Sequence, residues 1–422
     1  MAKESCLLAA GTRSSVVIQS CQICGNDKLD AILFLGYMPP VNTMRRIGEV
    51  PKEQPSYPTS WLYCSDCELV QLGLSIDPET LFPPEYPYTS GTTEILRENF
   101  AQLHRECCGR FNLGANELII DIGSNDGTLL SNFKSHGHRV LGIEPTEVGR
   151  IAIARGIPTV IRYFGPKVAH DVCAEYGTAH IVTSTNCFAH IEDVHSIVNG
   201  ILELLSDKGI FISESHYLIG LLDRLQYDTI YHEHLRYYSL HSLKYLLEMH
   251  GLQVIDARAI PTHGGSIRVY AARSGAYPVQ PTVSEILATE PTGNAMRERL
   301  KQFRHEVMLS KLRLLSLLRE IKETGARVCG ISAPSRASTL INYVGLDDSF
   351  VDYVVEIKGS LKIGKYIPGT VIPVIEEALL FKEQPDYAII FSWHIADELA
   401  SKLRARGYRG KFIVPLSVPR IL

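Results

Sequence analysis

The chain has 422 residues, of which 45% are hydrophobic and 21% charged, and its formal net charge is −4. This length predicts two or three domains, the composition is that of a globular protein, and the charge excludes a global basic field for nucleic acid. No apolar run reaches the roughly 20 residues that span a bilayer, and residues 1–20 are predicted as a frayed tail, not a secretory signal. We therefore expect a cytoplasmic protein without a membrane or nucleic-acid partner, whose cysteines are thiols or metal ligands.

The first predicted module covers residues 21–85, which are rich in turns and proline. It contains two C-x-x-C pairs, one formed by Cys21 and Cys24 and the other by Cys64 and Cys67. Each pair can bind one metal through a tight turn, and four thiolates complete a closed tetrahedral zinc site. The sequence therefore predicts structural Zn²⁺ in a module with little core of its own. A zinc ribbon that binds nucleic acid and four ordinary thiols are the alternatives.

Strands and helices alternate in the second predicted domain, residues 86–275. The strands are predicted at ELIID, RVLGIEP, HIVTST and GIFISES, and the segments between them have helical periodicity. This alternation predicts a parallel sheet with helices on both faces, and therefore the α/β class.

The segment ELIIDIGSNDGTLL combines a strand, a glycine-rich turn and the start of a helix. Gly123 and Gly127 would allow close approach of a ligand, and Asp121 could bond its amino acid part. Glu144 ends the next strand, where a carboxylate can accept both ribose hydroxyls. Because the turn lacks the dinucleotide pattern G-x-G-x-x-G, it predicts S-adenosylmethionine as the cofactor. An ordinary strand–helix turn is the alternative.

Further cofactor contacts are predicted after the third and fourth strands. Tyr163 and Phe164 could border the adenine, although they fit a core position equally well. Asn186 follows the fourth strand, and strand ends face the ligand crevice in such sheets. The predicted cofactor-binding residues are Asp121, Gly123, Ser124, Asn125, Gly127, Glu144, Pro145, Tyr163, Phe164 and Asn186.

The run DTIYHEHLRYYSLHSL places Tyr231, His232, Glu233 and His234 together. A core helix would not normally use such a run, because each buried group needs a partner. Histidine and tyrosine suit proton abstraction beside a carbonyl, which needs a base near neutral pH and a donor for the enolate. The run matches neither the H-E-x-x-H metalloprotease motif nor the zinc deaminase motif. A structural hydrogen-bond cluster is the alternative.

The third predicted domain, residues 276–422, begins with a linker and a long helix over residues 294–324, and is then again α/β. The loop in GISAPSRASTLINY precedes a helix start, and phosphates favour such positions. The glycine-rich loop EIKGSLKIGKYIPGT carries Lys358, Lys362 and Lys365. Together these loops indicate a diphosphate site, although a helix cap and a solvated surface run are the alternatives.

Taken together, these segments resemble the nucleotide-sugar C-methyltransferases, which act on dTDP- or GDP-linked 4-keto-6-deoxy sugars. The resemblance covers nearly the whole chain in order, through the paired C-x-x-C module, YPYTSG, DIGSNDGTLL, NCFAHI, YHEHLRYYS, HGGSIRVY, GISAPSRAST and IGKYIPGT. It implies an N-terminal zinc-binding module, a central Rossmann-like methyltransferase domain and a C-terminal Rossmann-like α/β domain that holds the nucleotide.

The resemblance also implies site residues. The catalytic residues that carry over are His234, Tyr231, Glu233, His190 and Tyr88. The substrate-binding residues are His263, Gly264, Gly265, Ser266, Arg268, Ser335, Arg336, Ser338, Lys358, Lys365 and Tyr366. Two departures from the family pattern, at residues 336–338 and 392–394, fall where the nucleotide should bind. A GDP-linked sugar therefore fits this sequence as well as a dTDP-linked one.

The expected reaction places a methyl group on the ring carbon beside the C4 ketone, with C3 favoured over C5. A base, His234 first and Tyr231 second, would remove the proton from that carbon, and Glu233 would orient the histidine. No catalytic metal is expected, because the ketone already acidifies the carbon. The alternatives are an O- or N-methyltransferase and a non-catalytic zinc-containing binding protein. We expect a monomer or a weak oligomer.

Overall fold

The computed structural model describes residues 7–10, 13–50, 54–84, 86–111 and 113–422. Two seven-stranded sheets, one central and one C-terminal, lie beside an N-terminal module of small antiparallel sheets. Helices pack against both large sheets, so the predicted α/β class is confirmed. Within the described residues, no helix is both long enough and apolar enough to cross a membrane.

The N-terminal module is built from antiparallel strands around buried aromatic side chains. Its elements are β1 (Leu7–Ala10), β2 (Arg13–Val17), β3 (Asp30–Met38), β4 (Tyr57–Cys64), β5 (Leu69–Leu72), β6 (Leu74–Ile76) and α1 (Pro78–Leu81). Trp61 and Tyr63 alternate with half-buried residues on β4 and are fully buried, as the two-residue period of a strand requires. A short strand of the central domain, Arg236–Tyr237, pairs with β5 and joins the two parts of the chain.

The prediction of a frayed tail over residues 1–20 is wrong for two segments of it. Strands β1 and β2 form an antiparallel pair, and β2 also pairs with β6, where Val17 lies opposite Leu74. The pairing of β2 with β6 joins segments that are distant in sequence, and such a pairing leaves no local pattern by which it could be recognised. Residues 1–6 and 11–12 lie outside the described residues.

The central domain contains the first large sheet, in the order β13-β14-β11-β10-β7-β8-β9. Its strands are β7 (Leu118–Ile122), β8 (Arg139–Ile143), β9 (Thr159–Val160), β10 (Ala179–Thr185), β11 (Leu205–His216), β13 (Leu252–Ile260) and β14 (Ser266–Arg273), and the strand that joins the N-terminal module is β12 (Arg236–Tyr237). Its helices are α2 (Glu94–Arg110), α3 (Thr128–Lys134), α4 (Gly149–Ala154), α5 (Pro166–Tyr176), α6 (Val194–Leu204), α7 (Leu218–Asp223) and α8 (Leu240–Met249). The predicted parallel sheet is confirmed for β11 through β9, whereas β14 and β13 add an antiparallel edge.

Two helices lead from the central domain to the C-terminal domain: α9 (Pro281–Thr289) and α10 (Gly293–Glu323). Helix α9 packs on the central sheet through Val283. Helix α10 confirms the predicted long helix, and its buried side chains recur every three or four residues, as an amphipathic helix requires. One of them, Phe303, stacks on Trp61 of the N-terminal module.

The C-terminal domain contains the second large sheet, in the order β17-β18-β16-β15-β19-β20-β21. Its strands are β15 (Val328–Ile331), β16 (Val354–Glu356), β17 (Lys365–Tyr366), β18 (Pro373–Glu376), β19 (Tyr387–Ile390), β20 (Lys411–Val414) and β21 (Arg420–Ile421), and its helices are α11 (Ser335–Val344), α12 (Ala378–Glu383) and α13 (Ala396–Ala405). The five inner strands are parallel. One continuous hydrophobic core includes side chains of this domain, of α7 and α10, and of the N-terminal module. This shared core holds the three parts around the cavity described below.

Candidate active site

A cavity of about 690 Å³ lies where the three parts of the chain meet. Its walls come from the turns after β7 and β8, from the segment before α2, from residues 185–197 and 229–237, and from the start of α11. The carboxyl ends of the central parallel strands open into it, which is the usual place for a ligand in such a sheet.

The turn after β7 and the end of β8 form one end of the cavity. Gly123, Asn125 and Glu144 line it together. The Glu144 carboxylate accepts the backbone N–H of Asn125 at 3.0 Å and the hydroxyl of Thr146 at 2.6 Å. These bonds fix the carboxylate at the cavity wall, where it could accept ribose hydroxyls as predicted.

Three predicted cofactor residues, Asp121, Ser124 and Gly127, support this turn from behind and do not line the cavity. Asp121 accepts the hydroxyl of Thr183 at 2.6 Å, and burial raises the pKa of Asp121 to about 7. Gly127 has a φ of +76°, and a Cβ atom there would lie 2.9 Å from Ala152. The packing of the protein and the positive φ are therefore sufficient to explain a glycine at position 127.

The glycine that does line the cavity is also packed against protein. A Cβ atom on Gly123 would lie 2.6 Å from the sulfur of Cys187, and its φ is +75°. Pro145, Tyr163, Phe164 and Asn186 line the same cavity. The described part of the chain thus brings seven of the ten predicted cofactor residues to one wall.

Several buried polar atoms in the cavity fit the cofactor. The Oδ1 of Asn186, the Oγ of Ser215 and the Nε2 of His263 have no hydrogen-bond partner among the described residues. Buried polar groups are nearly always paired, so such atoms on a cavity wall indicate a polar ligand. Glu144 adds an acceptor for a ribose, and this donor and acceptor set fits S-adenosylmethionine.

Imidazole rings cluster around His234, next to the cofactor wall. The ring centroids of His190 and Tyr231 lie 5.0 and 4.1 Å from that of His234, and His216 approaches its edge at 4.8 Å. Burial lowers the pKa of His234 and His216 well below the ordinary value and that of His190 to about 4. These imidazoles are therefore neutral near pH 7, and each keeps a nitrogen lone pair.

The position of the proton on His234 is fixed by its surroundings. Its Nδ1 lies 2.8 Å from the backbone carbonyl oxygen of Thr229. A carbonyl can only accept, so Nδ1 carries the hydrogen and Nε2 carries the lone pair. His234 therefore has the tautomer that a general base needs.

Glu233 lies beside His234 in sequence but has other partners. Its Oε1 accepts the Asn42 amide at 2.6 Å, and its Oε2 accepts the Tyr86 hydroxyl at 2.9 Å. Burial raises its pKa to about 7, and the Asn42 and Tyr86 bonds oppose that shift. The expectation that Glu233 orients the histidine is wrong, because the Thr229 carbonyl does so.

Tyr88, the predicted catalytic tyrosine of the YPYTSG segment, lines the cavity. Tyr86, two residues earlier, contacts Glu233. Tyr86 bonds to Glu233, whereas the Tyr88 carbonyl accepts the Asn125 side-chain amide at 3.2 Å. Burial raises the pKa of Tyr88 to about 12. Tyr88 thus borders the turn after β7.

At the opposite end of the cavity, Arg336 of α11 crosses to the central domain. Its guanidinium pairs with the carboxylate of buried Asp228 at 3.0 Å and donates to Gln226 at 2.8 Å. It also lies 5.2 Å from the ring centroid of Trp393 and donates to His394 at 3.0 Å. Arg336 and His394, which both depart from the family pattern, therefore contact each other at this end of the cavity.

Two further polar side chains accompany Arg336. Ser335 donates to the Asn42 side chain at 3.2 Å, and Lys362 donates to the Ala333 carbonyl at 2.6 Å. Lys362 is buried, and this burial lowers its pKa. Two cationic side chains and a helix start thus line this end of the cavity.

Of the eleven predicted substrate residues, His263, Ser335 and Arg336 line the cavity. The other eight do not line it: Gly264, Gly265, Ser266, Arg268, Ser338, Lys358, Lys365 and Tyr366. Gly264 accepts the Arg224 and Gln226 side chains, and Ser266 and Ser338 donate to the backbone carbonyls of Thr262 and Pro368. These residues therefore shape the loops behind the cavity.

Arg268 pairs with carboxylates inside the protein and does not line the cavity. Its guanidinium is fully buried and pairs with Glu214 at 2.5 Å and Glu106 at 2.8 Å. Lys358 is exposed, and the strand Lys365–Tyr366 packs against residues 45–46 of the N-terminal module. The lysine of this basic loop that reaches the cavity is Lys362.

The sequence did not assign a role to Asn42, Tyr86 or His216. Lys362 was named in the basic loop of the predicted diphosphate site, but neither it nor His394 was among the predicted substrate-binding residues. Lys362 and His394 belong to segments that the sequence did single out, and Tyr86 belongs to YPYTSG. Asn42 and His216 carry no local signal, because their importance comes from contacts made only in the folded chain.

The four cysteines of the two C-x-x-C pairs converge in the N-terminal module. Cys21 and Cys67 have their sulfurs 3.4 Å apart, those of Cys24 and Cys64 are 3.5 Å apart, and all four lie within 4.8 Å of one another. A tetrahedral zinc ion with bonds of about 2.3 Å separates its sulfurs by about 3.8 Å. The arrangement fits the predicted zinc site.

Three family models match successive parts of the chain. They describe a zinc binding domain at residues 21–82, a methyltransferase domain at 93–257 and a C-methyltransferase C-terminal domain at 261–417. The C-methyltransferase NovU of Streptomyces niveus is 32% identical over 409 residues, which are 96% of this chain and 97% of that protein.

Solved structures align with less than half of the chain. The PH0226 protein of Pyrococcus horikoshii OT3 is 15% identical, with a TM-score of 0.37, and the alignment covers 46% of this chain and 98% of that one. An S-adenosylmethionine-dependent methyltransferase of Clostridium acetobutylicum is 11% identical, with a TM-score of 0.34 and coverage of 44% and 94%.

Proposed function

We propose that this chain, which belongs to the C-methyltransferase family and is an S-adenosylmethionine-dependent methyltransferase, acts on a nucleotide-diphosphate-linked 4-keto-6-deoxyhexose. The methyl group goes to the ring carbon beside the C4 ketone, with C3 favoured. The observation that carries the proposal is a neutral His234 of fixed tautomer in the same cavity as the cofactor turn.

The cofactor end of the cavity would be formed by Glu144, Asn125 and Asn186. Glu144 would accept the ribose hydroxyls, and the unpaired Oδ1 of Asn186 would accept a donor from the ligand. When bound, S-adenosylmethionine supplies a methyl group that is open to attack by a carbanion. The buried wall around these residues excludes water from the reacting atoms.

His234 is the proposed base. Its Nε2 takes the proton from the carbon beside the ketone, and the electron pair of that bond moves toward the ketone oxygen. Tyr231 suits the other task, because burial raises its pKa well above the ordinary value and keeps its hydroxyl protonated. The Tyr231 hydroxyl or a neighbouring imidazole then donates to the developing enolate oxygen.

The Arg336 end of the cavity is the proposed place of the nucleotide diphosphate. Lys362, Ser335 and Arg336 together offer positive charge and donors at the start of α11, which is a favourable place for phosphate. Trp393 and His394 lie beside them, so this region would also select the nucleotide base.

The four cysteines are proposed to hold a structural Zn²⁺. Their sulfurs fit a closed tetrahedral set, which leaves no position for a substrate. The ion would stabilise the N-terminal module, which positions Asn42 beside Glu233.

The test uses a panel of dTDP- and GDP-linked 4-keto-6-deoxyhexoses with isotopically labelled cofactor, in light and heavy water. We expect a carbon-bound methyl group, and deuterium at the same carbon when S-adenosylhomocysteine replaces the cofactor. His234→Ala should lower both signals by roughly 10²- to 10⁴-fold, which is the usual contribution of a general base. Tyr231→Phe should lower the exchange less than His234→Ala does, because a neighbouring imidazole can still donate to the enolate oxygen.

The matched control is His170→Ala, which removes an exposed imidazole that pairs with Glu203 on the surface. It should behave as the unaltered protein does. A methyl group on oxygen or nitrogen would refute the proposed reaction. So would the absence of deuterium at the ring carbon beside the ketone when S-adenosylhomocysteine replaces the cofactor. Full turnover by His234→Ala would assign the base to another residue.

A further inference from the structure

A second cluster of metal-binding side chains lies outside the cavity, at the end of α2. His104 and Cys108 are four residues apart on this helix, and His138 precedes β8. Residues with that spacing lie on one helix face. The Cys108 sulfur is 3.3 Å from the Nε2 of His104 and 4.0 Å from the Nε2 of His138.

These distances match those between the ligands of a tetrahedral zinc ion. Bonds of about 2.3 Å to sulfur and 2.0–2.1 Å to nitrogen separate the sulfur and nitrogen ligands by about 3.6 Å. The measured 3.3 and 4.0 Å lie on either side of that value. An ion between the three atoms would need only small side-chain adjustments.

A fourth imidazole lies beside the cluster. The His136 ring centroid is 4.2 Å from that of His104. Its Nδ1 lies 2.8 Å from the Asn132 carbonyl oxygen, so this nitrogen carries the hydrogen and Nε2 keeps its lone pair. A histidine that donates one N–H to a carbonyl is oriented as metal-binding histidines are.

We propose that His104, Cys108 and His138 form a second metal site, distinct from the four-cysteine site, that binds a zinc-class divalent cation. One thiolate and two imidazoles select such an ion over Mg²⁺ or Ca²⁺, which take oxygen ligands. The fourth position is filled by water or by the exposed side chain of His136.

The ion joins two parts of the central domain, helix α2 and the segment before β8. It fastens the last turns of α2 to the loop between α3 and β8. The other half of α2 lines the cavity through Leu96 and Phe100. The site goes beyond the proposed methyl transfer, because none of its three ligands lines the cavity.

The test measures zinc in the tag-free full chain after loading with Zn²⁺ and removal of loosely bound metal. We expect two ions per chain in the unaltered protein and one in Cys108→Ser and in His138→Asn. Cys173→Ser is the matched control, because Cys173 is a half-buried cysteine of α5 that contacts a backbone carbonyl. It should keep both ions.

A second readout does not depend on the total zinc count. Protein that holds one Zn²⁺ is titrated with Co²⁺, whose visible and thiolate charge-transfer bands report a new tetrahedral site. We expect one equivalent of these bands in the unaltered protein and in Cys173→Ser, and none in Cys108→Ser. Only one ion in the unaltered protein, or bands that persist in Cys108→Ser, would overturn the proposal.

Discussion

Glu233 is enclosed by the protein, and both of its carboxylate oxygens accept hydrogen bonds, one from Asn42 and one from Tyr86. Burial nevertheless raises its pKa from 4.5 to about 7. The folded protein therefore holds a proton on this carboxyl between about pH 4.5 and pH 7, where the unfolded chain has already lost it. Folding becomes less favourable as the pH rises through this window, and the full cost is present above pH 7.

Glu233→Gln removes that cost while keeping the shape of the side chain. A pKa shift of this size corresponds to about 3 kcal/mol, so the variant should gain stability relative to the unaltered protein as the pH rises from 5 to 8. Thermal unfolding of both proteins at each pH measures the difference. A difference in unfolding midpoint that does not change with pH would show that Glu233 does not titrate in this range.

The residues that sequence reasoning could identify are those with unusual chemistry in their own segment. Tyr231 and His234 were predicted because a run of titratable groups is uncommon in a core, and His190 was predicted from the family resemblance. All three line the cavity. Asn42 could not be predicted, because its partner Glu233 lies 191 residues away. Arg268 was assigned to the substrate from its neighbours in sequence, but the side chain bonds to carboxylates behind the sheet.

At the scale of elements, the strands and helices with a strong hydrophobic pattern were the predictable ones. The long helix α10 and the strands β7, β8, β10 and β11 lie where the sequence places them. The antiparallel edge formed by β13 and β14 was not predicted, because strand direction depends on the path of the chain and not on local composition. The same reason applies to the hairpin near the N-terminus.

Helix α11 joins the C-terminal domain to the central one through one buried ion pair. Arg336 and Asp228 are 6% and 0% exposed, and the indole of Trp393 donates to the same carboxylate at 2.7 Å. Arg336→Met should cost about 3–5 kcal/mol, because it leaves a buried carboxylate without its cation. Urea unfolding of the full chain measures this loss.

Two comparisons test the assignment of that loss to the ion pair. Adding Asp228→Asn to Arg336→Met should restore part of the stability, because the uncompensated charge is removed. Arg299→Met is the control, because it breaks an ion pair with Asp223, whose side chain is 60% exposed. This substitution should lower the free energy of unfolding by at most about 1 kcal/mol. Equal losses for the two single variants would contradict the argument.

At the scale of the whole molecule, the three parts of the chain each contribute to one site. The central domain supplies the turn after β7 and the imidazoles, the C-terminal domain supplies Arg336 and Lys362, and the N-terminal module supplies Asn42 behind Glu233. Asn42 also accepts from Ser335, so a single amide contacts both large domains. The cysteine cluster therefore affects the cavity through the module that positions Asn42.

Two variants separate the contact made by Asn42 from the stability of the N-terminal module. Asn42→Ala should lower turnover by at most about tenfold, because a hydrogen bond contributes about 0.5–1.5 kcal/mol, and it should leave the zinc content unchanged. Asn199→Ala, which removes a surface contact to His250, is the matched control and should keep full turnover.

Cys24→Ser should lower turnover at least as much and should also release zinc from the four-cysteine cluster, since it removes one of four ligands. Limited proteolysis distinguishes the two variants, because cleavage within residues 21–82 should increase only when the ion is lost. If Cys24→Ser kept both full turnover and protease resistance, the module would not depend on a metal. If it lost zinc but kept turnover, the position of Asn42 would be independent of the cysteine cluster.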